Sequence, residues 1–218
     1  MSDPTTATDR NTNVAPRSAA TLAVLGGVAL AAFPLLRPWS DKDGTEAGLL
    51  AALSSQLWVL AHLLGALGLA AIAGALIVRA GQGSRLDRLA AWFGGAGASL
   101  TLIYYGAESL GLHGVAISGG GAEQVAAIQF TPWSLGVFGI GLLGLAAAGL
   151  VTALSQLQRA DIGRWRWAAV GLGLGLVTYL PQYFLPPAGR IIHGLFLLVA
   201  AAVWAVGAVR PAAVQLRR

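Results

Sequence analysis

Six long apolar runs alternate with short polar segments along the chain. They cover roughly Ala19–Leu36, Leu57–Val78, Leu89–Leu112, Phe130–Leu154, Trp167–Leu185 and Ile191–Val209. Each is near the ~17–25 residues that carry an α-helix across a bilayer. A helix satisfies its own backbone groups in lipid, whereas a barrel needs many short alternating strands. The pattern predicts an all-α, polytopic membrane bundle of six transmembrane helices over residues 19–210. Residues 1–18 are polar and lack apolar periodicity, which predicts a disordered tail. Residues 211–218 read as a basic tail.

Charge placement orients these spans. If the N-terminal tail is cytoplasmic, the inner segments hold Arg10, Arg17, Arg79, Arg85, Arg88, Arg159, Arg164, Arg166, Arg210, Arg217 and Arg218. The outer segments hold only Arg37, Lys42 and Arg190, three of the 14 basic residues. This is the positive-inside bias, and it predicts that both termini are cytoplasmic. A rival topology exists. Arg10 and Arg17, the apolar stretch Thr21–Phe33 and the small residues at Ala29–Ala31 resemble a cleavable signal peptide. The apolar run continues past that site to Leu36, which favours a retained span.

Composition agrees. Of 218 residues, 56% are hydrophobic and 11% charged, against about 25% charged in a soluble domain. The bilayer must solvate most of this surface. No polar stretch is long enough for a second globular core. Cysteine is absent, which excludes disulfides, thiolate metal sites and cysteine nucleophiles. The excess of Arg over Lys, with abundant Ala and Gly, points to a GC-rich bacterium and hence to the bacterial cytoplasmic membrane. The high pI does not imply nucleic acid. The basic residues sit at helix ends, where topology explains them and where they suit anionic lipid headgroups at the cytoplasmic face.

A few polar residues lie inside the runs, where they are costly and mark candidate function. His62 precedes Arg79 by seventeen residues, and His193 precedes Arg210 by the same interval, so each histidine lies about 25 Å above its arginine. Glu108 lies about 30 Å above Arg88. All three fall in one layer near the outer interface. Thr101, Tyr104, Tyr105 and Glu108 share one helical face, which Gly94 and Gly97 continue inward. Such a stripe should face the bundle rather than lipid. Gln182 and Tyr183 follow Pro181 at the same level. The expected ligand-binding set is therefore His62, Tyr104, Tyr105, Glu108, Gln182, Tyr183 and His193, with His113 at the lip.

Three readings follow. The first is a pocket in the outer leaflet that binds a small ligand or lipid, or a polar cluster that only holds the bundle together. The second is a cofactor site: haem b between His62 and His193, or zinc on His62, Glu108 and His193. The third is a proton-coupled transporter or membrane enzyme titrating at Glu108. No H-E-x-x-H, G-x-S-x-G or phosphate-cradling glycine loop occurs. The nearly aliphatic inner half argues against a through-channel.

Overall fold

A computed structural model describes residues 5–81, 83–158 and 166–209. All regular structure among them is helical. The long helices are α1 (Thr5–Leu36), α3 (Gln56–Ala80), α4 (Arg85–Gly106), α7 (Pro132–Leu157) and α9 (Pro187–Ala208). A shorter one, α8 (Arg166–Val177), joins them. Four segments are long and apolar enough to cross a membrane: Ala15–Leu36, Gln56–Ala80, Pro132–Leu157 and Pro187–Ala208.

Each of the six packs on its neighbours in sequence, and α9 closes back on α1. The result is a ring in the order α1, α3, α4, α7, α8, α9. Glycines permit its closest approaches. A methyl group on Gly97 of α4 would lie 2.6 Å from the Leu145 nitrogen and 2.8 Å from the Gly141 oxygen of α7. With no hydrophobic drive between helices in lipid, such backbone proximity supplies the dispersion contacts that hold them. On the inward side of α4 run Gly94, Gly97, Thr101, Tyr104 and Tyr105, all buried, with Gly97, Thr101 and Tyr104 against α7 and Tyr105 against Phe33 and His62. The stripe does face the bundle.

Helix ends follow local chemistry. Ser84 and Asp87 form a reciprocal capping box at the start of α4, and Thr131 with Pro132 opens α7. The fifth apolar run behaves differently from the expected continuous span. Helix α8 stops at Val177, and the chain turns through a 3₁₀ segment, Pro181–Phe184, before α9. Pro181 lacks the N–H that a continuing helix requires. At the other extreme, α1 begins at Thr5, inside the stretch expected to lack order. Once a helix is nucleated, each further residue adds a hydrogen bond at little cost, so a span can extend into polar sequence. Arg159, Arg164, Arg210, Arg217, Arg218 and the tail 211–218 lie outside the described residues.

The segments between the first two runs and between the third and fourth are also helical. They form α2 (Glu46–Ser54), α5 (Leu112–Ile117) and α6 (Ala122–Gln129). These short helices make a cap over one end of the ring. The cap has its own small core of Ala52, Leu53, Trp58, Leu112 and Val125. Glu46 of α2 accepts the Ala122 N–H at the start of α6, 2.8 Å away, which ties the cap together. Between α4 and α5 the helix widens into a π turn, Ala107–Gly111.

Candidate functional site

Under the cap lies a cavity of about 480 Å³. All five long helices reach it: α1 through Phe33, α3 through Trp58 and His62, α4 through Tyr104, α7 through Phe138 and α9 through Arg190. Its roof is α6, with Val125, Ala126 and Gln129.

The π turn sets the floor. Such turns insert an extra residue into a helix and often mark functional positions. Here the turn carries Glu108. Its backbone carbonyl accepts the Trp58 indole N–H at 2.8 Å, and its carboxylate faces two partners. Gln129 of the roof donates its amide to Oε1 at 2.8 Å. His62 Nε2 lies 3.4 Å from Oε2. The other His62 nitrogen, Nδ1, is 2.8 Å from the Trp58 carbonyl. A carbonyl only accepts, so Nδ1 carries a hydrogen, and Nε2 is the ring nitrogen left facing the Glu108 carboxylate. The His62 ring is buried between Phe33, Trp58 and Tyr105, with centroids 5.1, 4.2 and 5.8 Å away.

Basic groups hold the rim. Arg37 grips Asp41 through two bonds of 2.9 and 2.7 Å, and its guanidinium lies between the rings of Trp39 and Trp58, 4.4 and 4.6 Å from their centroids. Lys42 stands 3.4 Å from the same carboxylate. Burial would raise the Asp41 carboxyl, but Arg37 and then Lys42 hold it below its ordinary value. Arg190 donates to the Leu185 and Tyr183 carbonyls, and its guanidinium lies over Tyr183 and Trp39. Arg37, Lys42 and Arg190, the three basic residues expected on the outer side, all line this one cavity.

The expected site residues divide. His62, Tyr104, Glu108 and Tyr183 line the cavity. Tyr105 lies beneath it, its hydroxyl 3.0 Å from that of Tyr179 and 2.7 Å from that of Tyr183. Gln182 is buried in the 3₁₀ turn and does not line the cavity. His193 points to the α8–α9 contact, with Nε2 3.1 Å from both the Gly175 carbonyl and the Thr178 hydroxyl. His113 sits at the α2–α3 junction, Nδ1 2.7 Å from the Leu53 carbonyl.

That division bears on the cofactor readings. Among the described residues no three of His, Asp, Glu or Cys gather to hold a metal ion, so the set His62, Glu108 and His193 is not assembled. Both ring nitrogens of His62 already face partners, which leaves none directed at a haem iron. A common depth along the helices does not bring the three groups together, because His193 turns to a different face.

Arg37, Asp41, Trp58, Gln129, Phe138 and Arg190 were not in the expected set. A signal for two of them was present. Arg37 and Arg190 are exceptions to the charge bias, and a cation on the disfavoured side calls for a local reason. No family model, curated protein or solved structure matches the chain, and its function is read from this cavity alone.

Proposed function

We propose that the chain is a six-span protein of the bacterial cytoplasmic membrane, with both termini inside, whose capped cavity binds a small ligand or lipid from the outer side. The observation that carries this reading is the cavity itself. Its volume of about 480 Å³ falls within the ~300–1,000 Å³ of small-molecule sites. Apolar walls with a few convergent polar groups are the usual make-up of such sites. A purely structural cluster needs no such space, because buried polar groups that serve only stability are packed against one another.

In this reading α4 and α8 also cross the bilayer. Gly94, Gly97, Thr101, Tyr104 and Tyr105 lower the hydropathy of α4, and the ring buries all five. The basic residues at the opposite end contact anionic headgroups. Native mass spectrometry of the protein released from its own membranes tests the reading. A bound small molecule or lipid, retained by wild type and lost when Phe138→Trp fills the cavity, is the expected result. Equal adducts in both proteins would sink it.

A second reading is supported by the contact of His62 Nε2 with the Glu108 carboxylate. A carboxylate–imidazole pair facing a cavity suits general acid–base work or coupling of ligand binding to a proton. Under it, ligand binding releases or takes up a proton in wild type and not in Glu108→Gln.

A further inference from the structure

The charges around the cavity do not balance. Arg37, Lys42 and Arg190 are cations, and Asp41 is one anion. Glu108 is the second carboxylate of the lining, and it faces His62 and Gln129. Three cations against two carboxylates leave the lining with a net positive charge.

The excess is localised. Asp41 is taken by Arg37 on both oxygens, with Lys42 beside it. Glu108 is taken by His62 and Gln129. Arg190 meets carbonyls and aromatic faces, and no carboxylate lies within ion-pair distance of it among the described residues. Moreover, Arg37 and Arg190 share one ring: their guanidinium carbons lie 4.4 and 5.6 Å from the Trp39 centroid. Two like charges placed so close in a partly buried site repel. An oxyanion between the cap and α9 removes that cost and suits the forked donors of arginine.

The walls on the far side are apolar: Phe33, Leu49, Val125, Phe130 and Phe138. Phe130 is largely exposed, as are Trp133 and Phe184 on the neighbouring elements. An aromatic surface of this kind beside a charged cavity suits a ligand with an apolar chain.

We propose that the ligand is an anionic amphiphile, an oxyanion headgroup on an apolar chain, with Arg190 as the anion-binding residue and Lys42 assisting. This rests on the cavity being a ligand site and names the class of ligand it takes.

The test uses purified full-length protein in a nonionic detergent, titrated by native mass spectrometry. Probes are dioctanoyl phosphatidate, dioctanoylglycerol and inorganic phosphate. Phosphatidate is expected to bind at least about tenfold more tightly than either of the others, since dioctanoylglycerol lacks the charge contact and inorganic phosphate lacks the apolar burial. Arg190→Gln should weaken phosphatidate about tenfold or more. Lys42→Gln, whose side chain is half exposed and holds no backbone, should weaken it by about two- to threefold. That second variant covers the case in which Arg190→Gln disturbs the 181–186 turn. Dioctanoylglycerol bound as tightly as phosphatidate, with Lys42→Gln without effect, overturns the anion assignment and leaves the ligand site standing. Inorganic phosphate bound as tightly as phosphatidate overturns the amphiphile. No binding of any probe by wild type overturns this inference, whereas the cavity-filling comparison on native membranes judges the ligand site separately. An adduct of phospholipid mass on the protein as purified identifies the bilayer as the source; binding of added probe without one identifies the aqueous side.

Discussion

His62 and Glu108, on neighbouring helices of the ring, meet with Nε2 and Oε2 3.4 Å apart, and each is held from behind by Trp58. Trp58 accepts from His62 through its carbonyl and donates to the Glu108 carbonyl through its indole. The pair therefore has a fixed geometry before any ligand arrives. Its energetic coupling is measurable. In unfolding experiments on His62→Gln, Glu108→Gln and the double variant, an interaction of about 0.5–3 kcal/mol is expected. Additive effects would show that the two side chains are neighbours without being partners.

The α4–α7 crossing makes a sharper steric prediction. Gly97→Ala places a methyl group within 2.6 Å of Leu145 backbone and should cost about 1–3 kcal/mol by overpacking. Gly136→Ala on α7 meets nothing within 4 Å and should leave the melting temperature unchanged or raise it slightly through helix propensity. Thermal unfolding in detergent compares the two directly.

Acid should weaken the opposite end of the ring through Asp87. Burial raises its carboxyl, but hydrogen bonds from Ser155 and Ser84 outweigh that and hold it below its ordinary value. A carboxyl that titrates lower when folded stabilises the fold fully above about pH 4 and loses that contribution as pH falls through the folded value. Asp87→Asn should therefore be less stable than wild type at neutral pH by about 1–2 kcal/mol, the worth of a helix cap. The gap should narrow below pH 4, and a gap independent of pH would contradict the assignment.

Topology can be read with little engineering, because the chain has no cysteine. Ser118→Cys in the cap and Gln158→Cys after α7 are both exposed positions. In intact cells a membrane-impermeant maleimide should label the first and spare the second. The reverse pattern would invert the bundle.

Much of this architecture was legible in the chain, for a physical reason. Lipid imposes length and apolarity on every span, and those are properties of composition. The starts of α3, α7 and α9 accordingly fall within a few residues of the apolar runs. Depth was legible as well, since helix rise is constant. Azimuth was not. His193 and His62 share a level, yet one faces α8 and the other the cavity, because helices apolar on every side carry no stripe to mark their inward face. The cap was hidden for a different reason. Helix α2 is nine residues long and mostly Ala and Leu, too short for a span and not periodic enough to be read as a surface helix. Its stability comes from burying Ala52 and Leu53 in a cluster completed by Leu112 and Val125, contacts distant in sequence. Arg37 and Arg190 could be located but not paired with a common ring, since Trp39 brings them together only in three dimensions.

The closure of α9 onto α1 has a topological consequence. Gly27 packs against Leu198 and Ala201, and Gly194 against Leu30 and Ala31, so the two helices run in opposite directions along their shared length. The start of one lies beside the end of the other. In such a ring no helix is first in any structural sense, and the order of synthesis is one cut among several that the same packing accepts. A circular permutant that links α9 to α1 and opens between α7 and α8 keeps every helix neighbour, and its cavity should form unchanged.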